Sequence, residues 1–243
     1  MKEDSLHIGT SGWNYAHWKN NFYPADLPQK EWLSFYTKNF NTVELNSSFY
    51  HLPKKETFKK WHDNTPGDFI FSVKASRYIT HIQKLVDSKE SVKKFLDAAV
   101  ILKEKLGPVL FQLPPNLNYD NERLENFCKL LPENFSYTFE LRNSSWWCDE
   151  CYDILRSKQI SFCFFELGDI ISPEIFTSNL IYVRLHGPSG RYKGSYSDNL
   201  LKNWDEKFLI WLKEGYNIYC FFDNDEQGFA AKNAKSLINL IKL

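Results

Sequence analysis

Eight short runs of apolar and β-branched residues recur along the chain: Leu6–Thr10, Thr42–Asn46, Phe69–Lys74, Pro108–Leu113, Tyr137–Arg142, Ile160–Phe165, Leu180–His186 and Asn217–Asp223. Each has the length and composition of a strand, and their starts fall roughly 20 to 39 residues apart, the spacing of repeated βα units. Helical patterns lie between them. Pro28–Phe40 sets Trp32, Phe35 and Tyr36 on one side, and Ser88–Leu106 repeats Val92, Phe95, Leu96, Ala99 and Leu102 before a Gly107-Pro108 stop signal. Asp120–Leu131, Trp147–Gln159, Asp198–Glu214 and Phe229–Leu243 follow the same pattern. The link between the sixth and seventh strands is short, with room for one turn near Ser172-Pro173.

Such a chain is expected to fold as α/β, in a single closed (β/α)8 barrel of the TIM type, one domain over residues 1–243. The competitor is a doubly wound open sheet, and Gly9-Thr10-Ser11-Gly12 lacks the G-x-G-x-x-G spacing of its first turn. No Gly/Ser-rich linker or low-complexity segment interrupts the pattern. Hydrophobic residues make up 43% and charged residues 25%, too apolar a balance for a disordered chain. Lys plus Arg and Asp plus Glu number 30 each, which argues against a globally basic polyanion binder and leaves room for a local basic patch. No apolar run reaches the roughly 20 residues of a membrane-spanning helix. The polar start Met1–His7 lacks a secretory h-region, so the expected compartment is the cytoplasm and the five cysteines are expected as free thiols.

Barrel strands send alternate side chains inward, and chemistry gathers at their C-terminal ends. That parity places Glu44 and Asn46 together on the second strand, Ser72, Lys74 and Ser76 on the third, and Gln112 on the fourth. It aligns Thr138, Glu140 and Arg142 on the fifth strand and Tyr182, Arg184 and His186 on the seventh; the eighth ends in Asp223-Asn224-Asp225. With helices outside, these polar groups have only the lumen to enter. A charge there must be paired or serve a ligand, because desolvating it alone costs several kcal/mol. The sequence leaves both outcomes open: an ion-pair network of Glu44, Glu140 and Asp223 with Lys74, Arg142 and Arg184, or a ligand site.

The loops after the strands interleave rings with cations: Trp13, Tyr15 and Trp18; Phe49, Tyr50 and His51; Arg77, Tyr78 and His81; Trp146 and Trp147; Arg191, Tyr192 and Lys193. Any one ring is ordinary core, but their recurrence in five loops suits a ligand with a flat face and an anionic group. Among six histidines, His186 and His81 are the site candidates. Cys148-Asp-Glu-Cys151 has redox-motif spacing but sits outside a thioredoxin-sized context, and Cys128, Cys163 and Cys220 supply no second pair for zinc.

Ile8-Gly-Thr-Ser-Gly-Trp13, Phe22-Tyr-Pro24, Phe40–Tyr50 with its core Thr-Val-Glu-Leu-Asn, and Phe71-Ser-Val-Lys-Ala75 resemble the domain-of-unknown-function 72 family, the YecE-like proteins. So do Gly107–Pro115, Glu140-Leu-Arg142 with Trp146, Tyr182–Gly187, and Asp223-Asn-Asp225 with Gly228-Phe-Ala230. The resemblance runs in order over nearly the whole chain. It implies a barrel related to the (β/α)8 class and carries no chemistry of its own; a likeness to endonuclease-IV and xylose-isomerase barrels is analogy only. Glu166 stands where the family more often has Asp, and the single inward histidine argues against a trinuclear metal site.

The first expectation is an enzyme, phosphoester hydrolase or isomerase, acting on a phosphorylated or anionic ring-bearing substrate, with nucleotides or nucleic acid favoured. Glu44, Glu140, His186 and Asp223 are its candidate catalytic groups, with His186 and Glu140 as acid and base. Asn46, Lys74, Gln112, Arg142, Arg184, Trp13, Trp146 and Tyr192 are candidates for holding the substrate. The alternatives are a carbohydrate isomerase or hydrolase using Glu44 and Glu140 as paired carboxylates, and a non-catalytic ligand- or nucleic-acid-binding barrel. The sequence encodes no clear cofactor or metal site and leaves a metal open; it points to no membrane or protein partner.

Overall fold

The computed structural model describes residues 5–241. Within them the strands are β1 (Leu6–Thr10), β2 (Thr42–Leu45), β3 (Ile70–Lys74), β4 (Leu106–Leu113), β5 (Tyr137–Leu141), β6 (Ser161–Phe162), β7 (Phe164–Leu167), β8 (Ile170–Ile171), β9 (Leu180–Leu185) and β10 (Asn217–Phe222). They form two five-stranded sheets, ordered β1-β10-β9-β7-β8 and β2-β3-β4-β5-β6. Pairing is parallel from β1 through β10 and β9 to β7, and again from β3 through β6. The class is α/β with parallel-rich sheets, as expected. Among the described residues the ladders form these two sheets and no single closed one.

The chain forms two compact units. The first takes the residues up to Glu44, Phe164–Ser172 and those from Leu180 on; the second takes Leu45–Cys163 and Pro173–Asn179.

In the first unit β1 is buried along its whole length, so both of its faces are covered, as a parallel strand requires. Helices Trp32–Tyr36, Asp198–Lys213 and Phe229–Leu240 belong to this unit. Tyr36 ties the strands together: its hydroxyl accepts from the Thr10 amide at 3.0 Å and donates to the Thr42 carbonyl at 3.1 Å. Gly9 is required by contact, since a Cβ there would stand 2.3 Å from the Thr42 carbonyl oxygen. This approach brings β1 and the end of β2 into a parallel bridge between Ser11 and Glu44.

In the second unit the strand parity read from the sequence sorts side chains as expected. Phe111 and Phe139 stack at 5.3 Å and pack on Phe127 of helix Asn121–Cys128, while Gln112 and Glu140, in register on β4 and β5, take the alternate positions. Asp120 caps that helix by accepting from the Arg123 amide.

Three expectations need correction, and one helix is additional. The sixth strand is two: β6 pairs with β5, the Cys163 amide donates to Phe139, and from Phe164 the chain pairs with β9 instead. A change of ladder partner within one apolar run leaves no mark in periodicity. No helical turn forms at Ser172-Pro173; Gly168 turns the chain at φ 61° into an antiparallel hairpin of β7 with β8. Gly107-Pro108 does not stop a helix. The helix ends at Ala99, a 3-10 segment runs Val100–Lys105, and β4 already holds Gly107 and Pro108, where its register with β3 slips. Proline has no N–H for a ladder, which is why it sits at a bulge. Finally, helix Lys55–Asp63 fills the link between β2 and β3, where charged residues blur the apolar stripe.

Candidate functional site

Four of the expected polar residues meet in the first unit, around Arg184. Its side chain is fully buried, and its guanidinium is committed on several sides. Nε donates to Glu44 Oε2 at 2.9 Å and Nη2 to Glu44 Oε1 at 2.7 Å, a bidentate pair. Nη2 also donates to Asp223 Oδ2 at 3.0 Å, and Nη1 lies 3.3 Å from His186 Nε2. A guanidinium has no lone pair to offer, so His186 Nε2 is the acceptor and Nδ1 carries the hydrogen donated to Asp223 Oδ2 at 2.9 Å. Glu44 is filled from the other side as well. Ser11 Oγ donates to Oε1 at 2.6 Å and the Tyr182 hydroxyl to Oε2 at 2.7 Å. With two donors on each oxygen, Glu44 is a saturated acceptor and holds no lone pair for a nucleophilic or basic task.

The strand parity read from the sequence brings these residues together, and the geometry shows how they pair. Arg184 is not a rim cation awaiting an anion; it is the positive centre between two buried carboxylates. His186 and Asp223 each sit one residue past the ends of β9 and β10, where parallel strands turn into loops. His186 is fully buried, and the exposed Tyr192 ring stands edge-on to it at 5.5 Å. That loop is fastened by Asn233 of the last helix, which donates to the Tyr196 carbonyl and accepts from the Tyr196 amide, and by the Gly187 amide donating to the Tyr196 hydroxyl. Glu166 lies beside Tyr196 and, together with burial, raises its phenol above the ordinary range. Trp13 is half-buried, with its carbonyl accepting from the Tyr23 hydroxyl.

The remaining candidates gather in the second unit. Glu140 is fully buried and accepts from Arg142 Nε. Lys74 Nζ lies over the Phe49 ring, 4.4 Å from its centre, a cation–π contact. His81 meets the edge of the same ring at 5.1 Å. Its imidazole is pushed down to about 4, first by burial, then by the charges of Lys74, Arg77 and Arg142, with Glu140 alone pulling the other way. Gln112 donates to the Leu113 carbonyl at 2.7 Å, and the buried Oδ1 of Asn46 has no partner among the described residues.

Trp146 corrects the expectation of a stacking platform. It is fully buried and its indole N–H donates to the Leu117 carbonyl at 2.7 Å, so it presents no face to a ligand. Sequence reasoning missed Ser11 and Tyr182 as the groups that complete the Glu44 shell; the i, i+2 spacing of Tyr182 from Arg184 is the signal for the second. Among the described residues no group of three or more His, Cys, Asp or Glu is arranged to hold a metal ion. Cys151 and Cys220 are buried thiols raised above their ordinary range, as is the partly exposed Cys148. No described helix is long and apolar enough to cross a membrane.

The comparisons with known proteins agree with the motifs. The protein YunF of Bacillus subtilis, a UPF0759 protein, is 26% identical over 98% of this chain and 95% of its own length. YecE of Escherichia coli K12, also a UPF0759 protein, is 30% identical over 57% of this chain and 48% of its own. A DUF72 family protein from Thermotoga maritima superposes with a TM-score of 0.87 at 29% identity, covering 97% of this chain and 98% of that one. One from Enterococcus faecalis superposes at 0.84 and 21% identity, over 98% of this chain and 95% of that one, and shows the fold. The model of the family described as "Protein of unknown function DUF72" matches residues 7–243, and the chain belongs to that family.

Proposed function

We propose that the chain takes a phosphorylated or otherwise anionic ligand on the second unit, against Lys74, Arg77 and Arg142, and that Glu140 acts on it as acid or base. The observations that support this are Lys74 seated on the Phe49 ring that also meets His81, and an imidazole held down, after burial, by Lys74, Arg77 and Arg142, while Glu140, itself paired with Arg142, acts the other way. Clustered cations repel one another, and an anion bound among them relieves that cost. Glu140 is in register with Gln112, so an amide and a carboxyl lie side by side at the C-terminal ends of β4 and β5, where α/β enzymes place their chemistry. In the first unit the saturation of Glu44 speaks against the paired-carboxylate glycosidase, and Arg184, His186 and Asp223 take a supporting role.

A single domain over residues 1–243, closed as a (β/α)8 barrel, belongs to this proposal. What supports it is the parallel pairing, the alternation of strand and helix, and the Ser11–Glu44 bridge between β1 and the end of β2.

The test is calorimetric titration with inorganic phosphate, then a turnover screen with phosphoesters and sugar phosphates. Phosphate should bind, more weakly as salt rises, and Arg77→Ala should weaken it several-fold. Glu140→Gln should keep binding and abolish turnover. Absence of phosphate, carboxylate and sugar-phosphate binding at low salt refutes the reading. Binding without any turnover leaves a binding barrel and removes the role of Glu140.

A further inference from the structure

We propose that the ligand of this cationic cluster is a nucleotide unit, its base stacked on the exposed rings of Tyr50 and Tyr78. The inference rests on the anion-binding reading and names the chemical class that site takes.

Tyr50 and Tyr78 are the two most exposed aromatic residues described, at 67% and 53% of full accessibility. A lone surface tyrosine needs no explanation. These two flank the cluster. The ring of Tyr50 packs edge-on against Phe49 at 5.1 Å, and Phe49 in turn carries Lys74 on its face and His81 at its edge. Tyr78 opens the same π-helical turn, Tyr78–Ile82, that holds His81, closed by the Gln83 amide donating to the Tyr78 carbonyl at 2.8 Å. Arg77 precedes it, exposed and with no ion-pair partner among the described residues. Tyr50 thus meets the ring that carries Lys74 and touches His81, and Tyr78 shares the turn of His81 and adjoins Arg77.

The backbone here is also unusual. A π turn is uncommon and marks functional segments more often than chance. It runs directly into Lys84, Leu85 and Asp87, at φ 49°, 70° and 48°, none of them glycine. Backbone conformations of this kind cluster at ligand clamps. The geometry holds Ile79 and Thr80 inward, fully buried, while Tyr78 and Ile82 face solvent.

Exposed rings beside cations suit a flat π-faced group joined to phosphate. Base stacking on an aromatic residue is sequence-tolerant and is worth enough to change affinity roughly tenfold per base.

The experiment titrates the whole protein with four probes: inorganic phosphate, ribose 5-phosphate, AMP and a short single-stranded oligodeoxythymidylate. AMP or the oligonucleotide should bind roughly tenfold or more tightly than ribose 5-phosphate. Tyr50→Ala with Tyr78→Ala should erase that margin while leaving ribose 5-phosphate affinity unchanged, and the double Phe variant should restore it. Tight AMP binding identifies a free nucleotide, and tight oligonucleotide binding with weak AMP identifies a strand; either supports the inference. Equal affinity for all phosphates, insensitive to the tyrosines, overturns it and spares the anion site. Failure of every probe, phosphate included, overturns the anion-binding reading itself. Melting curves of the variants should match the parent, since both side chains are exposed.

Discussion

Arg184 donates to His186 through Nη1 across 3.3 Å, and this contact fixes which nitrogen of the imidazole holds its hydrogen. With Nε2 accepting, Nδ1 donates to Asp223, and Asp223 in turn accepts from Arg184. The three residues close a ring of hydrogen bonds at the ends of β9 and β10, and the same guanidinium donates to both oxygens of Glu44. A ring of this kind holds only while every member is present.

Arg184→Met should therefore destabilise the protein by about 3 to 5 kcal/mol, the scale of stranding a buried carboxylate. It strands two, Glu44 and Asp223. Urea unfolding would measure it. Adding Glu44→Gln to Arg184→Met should recover part of the loss, because a neutral amide tolerates the missing partner. A simple exposed arginine would lose less than about 1 kcal/mol, and that outcome would contradict the buried network.

Gly9→Ala tests the contact between β1 and β2. Its Cβ would lie 2.3 Å from a backbone oxygen, which a rotamer change cannot relieve. The strands must separate, at a cost at or above the ~3 kcal/mol upper end of ordinary overpacking. Glycine at position 67, where a Cβ would meet nothing within 4 Å, is the control. Gly67→Ala should leave the denaturation midpoint nearly unchanged.

The cysteines should behave as inert thiols. Burial raises Cys151, and burial with the acidic start of its helix raises Cys148, so neither offers a stable thiolate at neutral pH. Native protein should react slowly with an aromatic disulfide reagent and rapidly once unfolded. Cys148→Ser should preserve stability. Cys151 is fully buried and is better replaced by Ala, since a serine hydroxyl there would need a partner. Fast modification of one thiol in the native state would reopen a redox role.

Side-chain parity in Leu180–His186 and Tyr137–Arg142 is legible in the sequence because strand period is two and parallel strands are covered on both faces, so a polar residue at a fixed interval stands out. Partner choice is not legible. Nothing in Arg184 itself says that its guanidinium meets Glu44, because that depends on the close approach of β1 to β2, which a glycine permits 175 residues earlier. The same holds for Trp146, whose burial is decided by the Leu117 carbonyl that receives its N–H. The break between Cys163 and Phe164 and the π turn at Tyr78–Ile82 are likewise tertiary choices that local propensity does not encode.

His81 offers the most direct reading of the second unit. Its folded value near 4 lies below the ordinary 6.5, through burial first and then through Lys74, Arg77 and Arg142. Between these two pH values the unfolded chain binds a proton that the folded chain refuses. Stability should therefore rise with pH across this window, and fall as pH drops from 6.5 toward 4. His81→Gln should flatten that slope. Because the ring is only half-buried, screening reduces the effect, and the slope rather than its size is the diagnostic. An anion bound among the same cations must oppose their influence, so phosphate should move the His81 midpoint upward. Proton NMR of the imidazole Hε1 signal, titrated with and without phosphate, measures both. A midpoint that phosphate leaves unmoved, in protein that calorimetry shows to bind phosphate, would place the anion elsewhere and detach His81 and its cations from the ligand.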